Sequence, residues 1–347
     1  MEDNSSRKFA ANLLATEGEI SGMLKQIAMK DDPVALRKAS SDFFARFGLG
    51  NLIMSNQFFE ALNKGEEILH LCHRLNEGIY SKMHKGLLFY FMGIAAYRIH
   101  AYASAIYYID SAVSEDLKNE SENYNSPSRL FLRLEGEKDE QAAKVIVQDA
   151  QTRIEDKINL YNELNTASAL KFSNLSMGDI RKYLLDPASS LNKPELRSLA
   201  TTFITFFLEF DYLYFQLMVR KESGTNEPFF THLFKGCLLF ESLLKKNPTA
   251  NATGGTLEKL LGGLFKPLGL PKQVKIGAAN LENVLKDIQT FDDSFTSAII
   301  MTGKLRNTLG HNIGWTDQLT KEQYLHGFLL IAVSCLHAIS TLYRTNE

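Results

Sequence analysis

The sequence is short of several things, and each shortage narrows what it can be. It holds three cysteines in 347 residues. Cys72, Cys237 and Cys335 are few, far apart and odd in number, which argues against a disulfide framework and for a reducing compartment. Their spacing is not that of a zinc site. The run His70-Leu71-Cys72-His73 has no second pair after it, and neighbours on a helix point in different directions. Charge of one sign is also lacking. A formal net charge of −2 gives no general pull toward nucleic acid or membrane, so any polyanion must be met by a local site. The polar start, Met1 to Lys8, is followed by no apolar signal region. The best membrane candidate, Leu199 to Val219, carries Glu209 and Asp211 near its middle. A charge there costs about 2.5 kcal/mol or more in lipid. It reads as a buried helix, and the chain as a cytoplasmic protein without a membrane partner.

Catalytic signatures are missing too. Gly254-Gly255 and Gly262-Gly263 lack the lysine and the preceding strand of a phosphate-binding loop. There is no Gly-x-Ser-x-Gly elbow and no His-Glu-x-x-His pair. Proline is scarce, at eight residues, and sustained period-two alternation is hard to find.

What is present is helical periodicity almost everywhere, with 45% apolar and 22% charged residues. The expected fold is all-α, and the length suggests two domains. Helices are expected from about Lys8 to Met29, Val34 to Phe47 and Leu52 to Glu77. From Lys85 to Asp116, Phe89, Met92, Gly93 and Ala96 share one helix and Ala105, Ile109 and Ala112 the next. This resembles a tetratricopeptide-repeat hairpin, in which small residues let antiparallel helices approach closely. A weaker echo lies at Phe58-Phe59-Glu60-Ala61. Ala61 and Ala105 are 44 residues apart against the roughly 34 of a regular repeat, so the array would be irregular. Generic helix pairs crossing at small residues fit the same pattern. Asp186 to Pro194, with two prolines and several turn formers, is the expected boundary between a scaffold or sensor domain over 1–190 and a second helical domain over 194–347.

In the second half, helices are expected at about Pro194–Lys221, Phe229–Lys246, Thr256–Phe265, Asn280–Asp287, Asp293–Leu309 and Thr320–Tyr343. The last begins with a capping box, Thr320-Lys321-Glu322-Gln323. The loop from Lys266 to Gly277 carries Lys266, Lys272 and Lys275 and no acidic residue.

The stretch that bears on function is Leu305-Arg306-Asn307-Thr308-Leu309-Gly310-His311-Asn312. Arginine stays charged and offers a planar donor fork that suits phosphate oxygens. Histidine exchanges protons near neutral pH. Cleaving an RNA phosphodiester needs a base, an acid and positive charge on the phosphorane. One histidine and one arginine fall short by one proton-transfer group, which a second copy across a twofold axis would supply. Arg306 and His311 lie about 140° apart around a regular helix. Serving one phosphate together therefore requires the helix to loosen near Gly310, or the arginine to reach around.

Arg306-Asn307-x-x-x-His311, late in a helix and followed by one last long helix, resembles the motif of the HEPN superfamily. Phe240-Glu241-Ser242-Leu243-Leu244-Lys245 is similar to that family's preceding core helix, and Glu241 and Lys245 form a favourable i,i+4 pair. The resemblance covers roughly Pro194 to Glu347. It implies a dimeric, metal-independent endoribonuclease leaving 2′,3′-cyclic phosphate and 5′-hydroxyl ends, with no cofactor, of the kind found in toxins and antiviral defence. Within it, His311 would transfer protons, Arg306 would hold the scissile phosphate and Asn307 would orient one or the other. Lys304 and Asn312 would contact RNA. Trp315 would stack a base or, as a core residue, cap the domain, and His326 and His337 read as core or surface histidines. Arg306 could instead cap a helix end or pair with Asp292 or Asp293. The alternative function is a non-enzymatic adaptor that binds a protein partner through its N-terminal helices and dimerises through the C-terminal domain.

Overall fold

The computed structural model describes residues 17–119, 126–135, 141–185, 193–220, 224–247, 256–290, 294–311 and 318–344. Among these there is no β-strand. The chain divides into two compact units, Met1–Phe131 with Glu137–Ile146, and Leu132–Gly136 with Val147–Glu347.

The first unit runs through α1 (17–28), α2 (Pro33–Ala45), α3 (Leu49–Met54), α4 (Phe58–Leu75), α5 (Glu77–Lys82), α6 (Gly86–Arg98) and α7 (Tyr102–Asn119). The single helix expected over Leu52–Glu77 is in fact divided. Asn56 takes a left-handed φ of 58° between α3 and α4, and an extended Asn76 ends α4 and caps α5 through its side chain. The expected hairpin is α6 and α7, joined by a turn in which His100 has φ 63°. A Cβ at Gly93 would lie 2.7 Å from the Ile109 side chain and 3.3 Å from the Ala105 carbonyl oxygen. A larger residue there would have to displace the Ile109 side chain and would press on the Ala105 backbone. At the open end of the hairpin, buried polar side chains meet in pairs: His84 Nε2 lies 3.2 Å from Asp116 and Lys85 Nζ 3.4 Å from Glu115. Lys85 also donates to the carbonyls of Tyr80 and Met83, so its ammonium is hydrogen-bonded as well as paired. In the core below, Cys72 sits with Leu71, Phe43 and Met92, whereas His70 and His73 on the same helix are exposed.

After α8 (Pro127–Leu132), α9 (Gln141–Ala167) crosses the division. The second unit continues with α10 (Met177–Ile180) and a π-turn over Arg181–Leu185. It then runs through α11 (Pro194–Val219), α12 (Glu227–Lys246), α13 (Leu257–Leu264), α14 (Leu281–Gln289), α15 (Phe295–His311) and α16 (Lys321–Ala338), which widens into a π-turn over Ile339–Tyr343. Helix α16 is the hub, packing against α11, α12, α14 and α15. Among the described residues, Lys321–Tyr343 is the one helix long and apolar enough to cross a membrane, and 72% of its most apolar window is buried inside the fold. The segment Leu199–Val219 is not picked out in this way. Its Glu209 is paired with Lys235 and its Asp211 with Arg153.

The division near residues 131–147 falls earlier than the 186–194 boundary expected from prolines and turn formers. Residues 186–192 lie outside the described residues. The reason is local. Asn162 bonds both backbone groups of Leu175, Ser340 donates to the Ser173 carbonyl, and Phe172 and Tyr161 pack around His337. These contacts give the stretch before the expected boundary to the second unit.

Two histidines in this core show opposite solutions to burial. His232 donates from Nε2 to the Phe206 carbonyl at 2.8 Å, which leaves Nδ1 to accept the Tyr324 hydroxyl at 2.8 Å. His337 stacks on Phe295 at 4.6 Å and meets the edge of Phe172 at 4.6 Å, with no hydrogen-bond partner for either ring nitrogen. Burial pushes both down to about 3, so both rings are neutral at physiological pH.

Candidate functional site

Helix α15 buries Phe295, Ile299, Thr302, Leu305 and Leu309 along one side, the seam expected from their spacing. Thr302 is satisfied there by the Ser334 hydroxyl of α16 at 3.0 Å. This seam fixes the rotation of the helix and so places Arg306 and Asn307 at its half-buried edges, while Gly310 and His311 are exposed. The loosening considered near Gly310 is absent, since the helix stays regular through His311. Arg306 instead folds along its own helix, its Nη1 lying 3.9 Å from where a Cβ on Gly310 would stand.

The guanidinium is held on two sides. Its Nε donates to Glu241 Oε2 of α12 at 2.6 Å, and its Nη1 donates to Asn307 Oδ1 at 3.2 Å. Nη2 has no partner among the described residues. Glu241 also accepts from Lys245, one turn along α12, as the i,i+4 spacing anticipated. Burial alone would raise the Glu241 carboxyl, but hydrogen bonds from Lys245 and Arg306 hold it below its usual value. It therefore remains a charge, and a fixed one. The acidic partners considered from local sequence, Asp292 and Asp293, lie outside the described residues.

Asn307 does more than stand beside the arginine. Its Nδ2 donates to the Ile276 carbonyl at 2.6 Å. The amide thus bridges Arg306 to the segment between α13 and α14, and nothing in its spacing with His311 revealed that bond. Lys304, expected to face RNA, is turned toward Asp287 of α14 at 3.9 Å and is one-third exposed. Asn312 and Trp315 lie outside the described residues. His326 is exposed and His337 is core.

Chemically, this arrangement presents an arginine fixed by a buried carboxylate, with donors to spare, on a helix that ends in an exposed histidine. It offers a held guanidinium and, at the helix end, an exposed imidazole. In comparisons with known proteins, no family model, no curated protein and no solved structure matches the chain.

Proposed function

We propose that the second unit is a HEPN-like helical bundle that acts as a metal-independent endoribonuclease. In this reading Arg306 holds the scissile phosphate and His311 transfers the proton. A second copy facing it across a twofold axis supplies the other proton-transfer group, and the products carry 2′,3′-cyclic phosphate and 5′-hydroxyl ends. The observation that carries the reading is the fixation of Arg306. A guanidinium locked by Glu241 and Asn307 has already lost the rotamer freedom that gripping a phosphate would otherwise cost. The first unit, in the same reading, is an irregular tetratricopeptide-like scaffold that docks a protein partner or activator, and the whole is a toxin or antiviral-defence effector of the cytoplasm.

The test is cleavage of total cellular RNA by the purified full chain in EDTA, with His311→Ala and Arg306→Ala beside it. Cutting by the wild type alone, with free 5′-hydroxyl ends and unchanged helicity and dimerisation in the variants, is the expected result. Equal activity in the variants, or activity that vanishes in EDTA and returns with a divalent ion, overturns it.

One observation favours the adaptor instead. Arg306 closes an ion pair within its own chain, as a purely structural arginine would. In that case the wild type cuts nothing, and Arg306→Ala unfolds the second unit.

A further inference from the structure

The segment from Pro271 to Asn280 has no regular structure, yet it is tied down along its length. The Val274 N–H donates to the Glu258 carbonyl of α13 at 3.3 Å, and the Ala279 N–H to the Thr308 hydroxyl of α15 at 3.3 Å. Between them the Ile276 carbonyl is held by Asn307. At its start the backbone of Pro271 and Lys272 lies so close to Gly262 of α13 that a Cβ there would collide with it. Burial alternates: Val274 and Ile276 are sealed in the core, at 3% and 0% exposure, and Lys275 between them is turned out to solvent. Lys272 is exposed as well, and neither lysine has an ion-pair partner among the described residues.

Loops usually carry their lysines on mobile backbone. Here the alternation that buries Val274 and Ile276 leaves Lys275 no other direction. The residue after it is bonded to Asn307, whose other end is bonded to Arg306. We propose that Lys272 and Lys275 form a fixed phosphate rail that binds the backbone of single-stranded RNA beside the phosphate gripped by Arg306. Asn307 is then a positioning residue that locks the rail to the arginine. This rests on the ribonuclease reading and names the part of the substrate that reading leaves open: the strand beyond the scissile bond. An unpaired strand is the occupant proposed, because its exposed phosphates can be followed by a few lysines beside one arginine without the paired grooves of a duplex.

The experiment uses the full chain carrying His311→Ala, so that RNA is not consumed, with and without the added pair Lys272→Ala and Lys275→Ala. Binding of a fluorescein-labelled single-stranded RNA is followed from 50 to 200 mM salt. Each lost phosphate contact removes about 0.7 from the slope of log affinity against log salt, so the pair should flatten it by about 1.4. The lysines are exposed, so thermal stability should not change. An unchanged slope and affinity overturn the rail, and so does equal competition by polyglutamate, which would mark a generic polyanion site. Cleavage by the wild type in EDTA is measured in parallel. RNA cut by the wild type but bound with unaltered slope by the lysine variant removes the rail alone, whereas neither cutting nor binding removes the rail and the ribonuclease together.

Discussion

Glu241 and Arg306 stand 65 residues apart in the chain and 2.6 Å apart in space. The carboxylate is nearly buried and has two cationic partners, Arg306 and Lys245, so its removal leaves charges behind rather than a simple gap. Glu241→Gln keeps the volume and discards the charge. We expect the variant to lose about 1–3 kcal/mol of stability, read from urea unfolding. On the proposed ribonuclease reading, it should also cleave RNA at least about tenfold more slowly, as the guanidinium loses the partner that aims it. Full activity in that variant would mean that Arg306 is placed by something else.

Asn307 separates two roles by its kinetics. If it positions the rail, Asn307→Ala weakens RNA capture, so KM rises by about tenfold while kcat changes little. If it orients His311, kcat falls and KM holds. Single-turnover and steady-state cleavage with a short unpaired RNA distinguish the two.

Acid should unfold the second unit in a defined window. His232 and His337 bind protons freely when unfolded, near pH 6.5, but only at about pH 3 when folded. Their folded values are depressed, so the stability they allow is present above pH 6.5 and is lost as pH falls toward 3. The slope is up to about 1.4 kcal/mol per pH unit for each ring. Glu241, also depressed, adds to the loss only at the acid end, below the usual carboxylate range. Urea midpoints measured from pH 7.5 to 4.5 check this. His337→Phe should lose close to half of the slope above pH 5, because His337 has no hydrogen bond to give up.

Close packing at two glycines gives a graded pair. A Cβ at Gly236 would run into the Phe206 ring and stand 2.8 Å from Ile331, pressing α12 away from α11 and α16 at once. Gly236→Ala should cost about 3 kcal/mol or leave the protein insoluble. Gly93→Ala meets the Ile109 side chain, which can rotate, and the Ala105 carbonyl oxygen only at 3.3 Å, and should cost about 1 kcal/mol. Thermal unfolding of the two variants ranks them, and an equal effect would show that the α6–α7 hairpin is as unyielding as the α12 crossing.

Most helices of the second unit are legible from apolar spacing, and the capping box at Thr320 and Gln323 forms as its residues suggest. Those signals are local, because they rest on residues within one or two turns. The break at Asn56 is invisible to them, since a single left-handed residue leaves the apolar rhythm on either side intact. The same limit hides the partner of Arg306. Acidic residues near it in sequence include Asp292 and Asp293, while Glu241 arrives from another helix. Its pairing with Lys245 was readable, but that carboxylate's second bond required the fold. The bond from Asn307 to Ile276 left no trace in the sequence either, because its acceptor is a backbone carbonyl, which every residue has.

Helix α16 follows in the chain all four helices it packs against, and this has a consequence for synthesis. Until it is made, α11, α12, α14 and α15 can pack only on one another, and the faces they turn to α16 stay uncovered, so the second unit cannot close fully during translation of its earlier parts. Arg306 and Glu241 sit on two of those waiting helices. On the ribonuclease proposed above, this order would delay completion of the site until the last helix is made.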